Sequence, residues 1–138
     1  KLYIADYGEP LAQGTDGVIA SNDVLEHVNE PAAALGEMCR VLRPGGVALI
    51  TIPFHEARKT TRRRARIESD GTLIHLETPE YHNSPLNKCS SLVFSDFGWD
   101  ILDLARQAGF SDAHIRGYWS LRNGHLGGGL QLLFMLRR

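Results

Sequence analysis

The sequence predicts an α/β fold: a mostly parallel sheet that ends in an antiparallel strand pair. Three features carry this. A strand, a helix, a Pro-Gly-Gly turn and a second strand follow one another within about 40 residues, which is a βαβ unit with a right-handed crossover. A long polar stretch then interrupts the pattern. The last third returns to a helix and two strands joined by a glycine-rich turn, and such strands pair antiparallel.

Residues 2–5 (LYIA) read as a short strand ending at Asp6, and Gly8, Pro10 and Gly14 mark the loop after it. Residues 18–20 are apolar and run into Ser21 and Asn22, which predicts a buried strand with a polar end. Asn29 is the expected N-cap of the next helix, with Pro31 in its first turn, where the missing N–H does no harm. Ala34, Leu35, Met38, Val41 and Leu42 recur at helical spacing and give one apolar face. Pro44, Gly45 and Gly46 stop the helix, and residues 47–52 (VALITI) form a strand apolar on both faces, closed by Pro53.

The segment 54–95 is rich in His, Arg and Pro. At roughly 40 residues it exceeds an ordinary connection and reads as a long loop insertion over the ligand face of a single domain spanning residues 1–138. Ser95 or Asp96 is expected to cap a helix running to about Ala108, with Trp99, Leu102, Ala105 and Ala108 buried and Gly109 at its C′ position. Residues 113–120 and 130–136 are the closing strands, joined by a turn over 123–129. Trp99 and Trp119 are expected to pack in the core.

Bulk properties exclude several classes. The chain has 138 residues and a net charge of -1, so it lacks the field that nucleic acid or an anionic membrane attracts. Its one basic run, Arg62-Arg63-Arg64-Ala65-Arg66, has no interleaved aromatics. That run reads first as a solvated face, or else as a grip for a substrate phosphate or carboxylate. Cys39 and Cys89 are too few and too far apart for a disulfide framework or a zinc site, and a reducing cytoplasm is the default setting. No apolar run reaches membrane-spanning length.

The stretch Asp16-Gly17-Val18-Ile19-Ala20-Ser21-Asn22-Asp23-Val24-Leu25-Glu26-His27-Val28 resembles the fourth-strand motif of the class I, Rossmann-like S-adenosylmethionine-dependent methyltransferases. Arg40-Val41-Leu42-Arg43-Pro44-Gly45-Gly46 resembles that family's approach to its fifth strand, and the helix–strand–strand ending also fits. The segments 71–76, 79–82 and 92–100 are similar to a bacterial subgroup of small-molecule methyltransferases of the type 11 kind. One departure is plain. No glycine-rich turn precedes residue 2, so the resemblance implies a C-terminal part of the domain, with residues 2–5 as the third strand and the first two strands missing. The turn lets backbone approach the cofactor closely, so weak or absent cofactor binding by these residues alone is expected. The strand at 18–20 would then have a bare edge, which predicts a homodimer or swap there, or pairing with residues 2–5.

The resemblance also implies roles. Asp6 would accept from the adenine amino group of S-adenosylmethionine, and the backbone of Asn22 and Asp23 would face its methionine part. His27 stands where a base near the acceptor is expected. In ubiquinone-type O-methyltransferases an acid, two spacers and Glu-His can hold a divalent metal, and Asp23, Glu26 and His27 have that spacing; relatives carrying Glu-His without metal make no metal the expectation. His55, His75 and His82 lie in or beside the insertion, and His82 is the candidate catalytic residue among them, at a loop tip that covers the site. The function implied is methyl transfer to a small molecule. A non-catalytic remnant or partner subunit, associating through the bare edge, is the alternative. A nicotinamide oxidoreductase lacks its fingerprint here.

Overall fold

The computed structural model describes residues 13, 14, 16–83, 90–122 and 129–138. The expected strand at 2–5, Asp6, Cys89 and most of the turn at 123–129 lie outside them. The main elements are β1 (Asp16–Asn22), a single 3-10 turn (Leu25–His27), α1 (Pro31–Val41) and β2 (Leu42–Thr51). The segment that follows holds six short strands: β3 (Arg62–Arg63), β4 (Ala65–Ile67), β5 (Leu73–His75), β6 (Tyr81–Asn83), β7 (Ser90–Leu92) and β8 (Ser95–Asp96). The chain closes with α2 (Ile101–Gln107), β9 (Asp112–Tyr118) and β10 (Gln131–Arg137).

The central sheet has the order β1-β2-β10-β9. β1 and β2 are parallel, in register from Val18 opposite Val47 to Asn22 opposite Thr51. β10 runs antiparallel to both β2 and β9, so β1, β2 and β9 point the same way. The mostly parallel sheet expected from the sequence is thus, among the described residues, one parallel ladder and two antiparallel ones. Helix and crossover follow local chemistry. Pro31 occupies the first helical position, and Leu35, Cys39 and Val41 form the buried face. The N-cap is Glu30 rather than Asn29. Asn29 is drawn away because its Oδ1 accepts from the Ile67 N–H and from Arg63, each at 2.8 Å. Gly45, at φ 78°, turns the chain where β2 slips out of register with Asp16 and Val18.

One face of the sheet carries the core. Ile19, Ala48, Ile50, Phe134, Leu136 and Ala113 are buried there, with Leu35 from α1 and Ile101 and Ala105 from α2. Burying each large aliphatic contributes about 1.5–3 kcal/mol. The strand at 18–20 is buried only at Ile19. Val18 is 60% exposed, because among the described residues β1 is an outer strand and its second face has no helix over it. Gly109 follows α2 with φ 108°, as the C′ position requires.

The segment after β2 is tied down by its arginines. Arg62 and Arg64 both donate to Asp96 Oδ2, at 2.7 and 3.0 Å, and Arg64 also reaches Thr78 O at 2.9 Å. Arg63 donates to Ala65 O at 2.8 Å and to both oxygens of Asn29. Carboxylates and carbonyls of the protein therefore engage three of the four guanidiniums of the basic run, while Arg66 remains exposed beside Glu68. Asp96 and Ser95 are buried in β8 and do not cap a helix. α2 begins five residues after Asp96, and the carboxylate of its flanking Asp100 accepts from the Thr61 N–H at 2.8 Å. Trp99 and Trp119 are 45% and 57% exposed, so neither is a core residue. Trp99 stays half out because its indole N–H donates to Glu56 O, 2.8 Å away.

Burial alone would raise the Asp96 carboxyl, but the bonds from Arg62 and Arg64 outweigh it and hold it below the usual carboxylate range. Its contribution to stability is present above the unfolded-state value of about 3.9 and is lost as pH falls through the lower folded value. Asp96→Ala is expected to lower the unfolding free energy by about 1–3 kcal/mol at neutral pH, since it removes the carboxylate that two guanidiniums share and leaves Arg64 with only Thr78 O and Glu80. Urea unfolding at neutral pH and at pH below Asp96's folded value checks this: the gap between wild type and variant should close in acid.

Candidate functional site

The parallel strands end at one edge, and a cavity of about 960 Å³ opens there. It is lined by Asn22 and Thr51 from the ends of β1 and β2, by Tyr118 from the end of β9, and by Leu130, Gln131 and Leu132 where the antiparallel β10 begins. Asp23, Glu26, His27 and His82 complete one side. This is the carboxyl-end crevice where open α/β sheets bind ligands.

The β1 end is held tightly. Thr51 donates its hydroxyl to Asn22 Oδ1 in a short hydrogen bond. Asp23 donates its N–H to Thr51 O at 3.0 Å and stands at φ 49°, the sole non-glycine residue in the left-handed region among those described. A residue held there costs on the order of 1 kcal/mol, and such strain clusters at ligand sites. Of the expected cofactor-side residues, the structure brings Asn22 and Asp23 to the cavity, while Asp6 lies outside the described residues. Thr51 was not singled out in the sequence, although its place at the end of an apolar strand, two residues before Pro53, is the signal that finds it.

The second group is Glu26, His27 and His82. Glu26 is 0% exposed, and neither carboxylate oxygen has a hydrogen-bond partner. Burial pushes its carboxyl above the usual range, against smaller opposing effects of its own backbone and of the two histidines. His27 Nδ1 lies 2.8 Å from Leu92 O. A carbonyl only accepts, so Nδ1 carries a proton, and in the neutral ring Nε2 is the acceptor nitrogen. That Nε2 is 3.6 Å from Glu26 Oε1, and His82 Nδ1 is 3.9 Å from the same atom. The imidazole rings meet edge to face, 5.0 Å apart.

The sequence spacing suggested that Asp23, Glu26 and His27 share a face. The structure puts His82 in the third place instead, with donor atoms of Glu26, His27 and His82 all within 4.8 Å of one another. Asp23 turns its carboxylate toward Asn22, whose amide donates to it at 3.3 Å. His75 is exposed on β5, and neither it nor His55 borders the cavity. No helix of the described residues is long and apolar enough to cross a membrane.

Residues 2–50, which include β1, α1 and most of β2, match the family model of a methyltransferase domain. An uncharacterized methyltransferase from Mycobacterium sp. (strain KMS) is 31% identical over 122 residues, covering 80% of this chain and 46% of that protein, and one from strain MCS matches equally. The chain thus spans about half the length of the curated relatives it matches. Among solved structures, an S-adenosylmethionine-dependent methyltransferase from Mesorhizobium loti aligns with TM-score 0.57 at 17% identity, over 95% of this chain and 66% of that one. The 1,6-didemethyltoxoflavin-N1-methyltransferase of Burkholderia thailandensis, solved with 1,6-didemethyltoxoflavin and S-adenosylhomocysteine bound, aligns with TM-score 0.51 at 16% identity, over 92% and 45%. Structural likeness at these identities speaks to fold alone, and the sequence matches supply the kinship. The sequence matches thus relate the chain to methyltransferases, and the structural matches show that it shares the fold of S-adenosylmethionine-dependent ones.

Proposed function

We propose that the cavity at the carboxyl ends of β1 and β2 is part of a site that transfers a methyl group from S-adenosylmethionine to a small-molecule acceptor. The observation that carries this is the strained, tightly bonded strand end at Asn22 and Asp23, which faces the cavity in a chain of this family. A sulfonium supplies an already activated methyl group, so the protein's work is to align donor and acceptor. Asn22 and Asp23, with Asp6 from the preceding segment, are the proposed cofactor side. The turn at Asp23 presents backbone where a ligand must approach closely, which fits that role. His27, from the turn after β1, and His82, from the segment after β2, are the proposed catalytic residues that meet the acceptor.

Nuclear magnetic resonance titration with S-adenosylhomocysteine tests the placement, because it reads weak binding residue by residue. Amide shifts are expected at Asn22, Asp23 and Thr51. Shifts confined to other parts of the fold would sink the proposal. Thr51→Val keeps the shape but removes the hydroxyl that holds Asn22. It is expected to weaken this binding about fivefold, the equivalent of ~1 kcal/mol for one hydrogen bond.

A second function, association with another chain as a partner subunit, has one observation in its favour: β1 is an outer strand among the described residues, with Val18 largely exposed. Sedimentation equilibrium separates the two. A concentration-dependent homodimer supports association through that edge, and a monomer across the accessible concentration range removes it.

A further inference from the structure

A buried carboxylate is tolerated when it is paired, hydrogen-bonded or bound to a cation. Glu26 is fully buried, and both of its oxygens lack a hydrogen-bond partner. Two imidazoles flank it, and all three side chains border the cavity. We propose that Glu26, His27 and His82 form a site for one divalent cation of the zinc class, open on its remaining side to the cavity.

The donor chemistry fits. One carboxylate and two neutral imidazoles suit zinc and its first-row neighbours, and three protein ligands leave a position for water or substrate. The spacing fits as well. Donor atoms around a tetrahedral zinc at about 2.1 Å lie roughly 3.4 Å apart. Glu26 Oε1 is 3.6 Å from His27 Nε2 and 3.9 Å from His82 Nδ1, and the donor atoms of all three side chains lie within 4.8 Å of one another, so side-chain rotations can bring them to one cation. Metal-bound histidines commonly donate their other ring N–H to a carbonyl or carboxylate. His27 does so to Leu92 O at 2.8 Å, and Glu80 Oε1 stands 3.5 Å from His82 Nε2.

All three ligands are set by one short stretch of chain. Ser91 pairs with His82 in the β6–β7 ladder, Leu92 fixes the His27 ring through its carbonyl, and the Phe94 N–H donates to Glu26 O at 2.8 Å. The site is therefore built by the fold and does not rest on the chance meeting of surface groups. A single carboxylate leaves a divalent cation with net positive charge, so the open position would favour an anionic or deprotonated ligand such as hydroxide or an alkoxide.

Calorimetry with zinc chloride and visible spectroscopy with cobalt(II) chloride test this on the purified protein. Neither readout involves methyl transfer, so the result is independent of the function proposed above. One equivalent of zinc is expected to bind, with an intense tetrahedral cobalt spectrum and a zinc-dependent rise in melting temperature. Glu26→Gln and His82→Gln are each expected to weaken binding by at least about tenfold and to abolish the zinc-dependent stabilisation. His75→Gln, on exposed β5, is expected to change neither. His82 is half-buried on a short ladder, and circular dichroism verifies that its variant is folded. The proposal is overturned by any of three results: no saturable zinc binding, a cobalt spectrum that remains six-coordinate, or wild-type affinity in both ligand variants.

Discussion

The parallel pairing of β1 with β2 is the constraint on which the rest depends. A parallel partner cannot be reached by a tight turn, so the chain must leave the end of β1, cross one face of the sheet and return. The 3-10 turn and α1 make that crossing, and Leu35 and Cys39 dock against the buried face that Ile19, Ala48 and Ile50 present. The direction of the strands then places Asn22 and Thr51 side by side at one edge. The residues that leave that edge, from Asp23 to His27, are delivered to the cavity by topology before any side-chain contact selects among them.

The segment between β2 and α2 supplies the other side of the cavity, and its order comes from buried charge. Six strands of two or three residues are too short to stand by ladder hydrogen bonds alone. Arg62 and Arg64 converge on Asp96, and Arg63 reaches back to Asn29, at the entry to α1. These bonds tie the segment to the turn before α1 and to β8. The same anchoring fixes the path of residues 91–94, which holds His27 by a carbonyl and Glu26 by an amide. Structural ion pairs at one end of the segment thus determine where the candidate site residues meet at the other.

The parts of the fold legible in the sequence are those set by local rules. Helical periodicity located α1, Pro31 its start, the apolar run at 47–52 the second half of β2, and Gly109 the end of α2. The expectation failed where a distant partner competed for a side chain. Asn29 has the chemistry of a cap but bonds Ile67, 38 residues away. Asp96 has it too, but serves Arg64 at a separation of 32. Trp99 sits on the apolar side of a helical pattern, yet α2 starts only at Ile101 and leaves the ring at the surface. At the cavity, the end of β1 carries the expected Asn22 and Asp23, while His82, expected at a loop tip, lies on β6. The burial of Glu26 and its meeting with His82 depended on a strand pairing that no short window of sequence contains.

Two locally unfavourable features border the cavity. Asp23 occupies backbone space that glycine would enter more easily, and Glu26 keeps an acid in a dry position where an amide of the same shape would avoid the cost of burying charge. They stand three residues apart and border the same cavity. Neither is required by the sheet, whose register is set by β2, nor by α1, whose core face begins at Pro31. Consistency between local preference and global fold is the rule for stable sequences, and departures from it concentrate where a ligand is handled. The strain at Asp23 and the unpaired acid at Glu26 therefore meet on one side of the cavity, where backbone shape and a titratable group act on the same space.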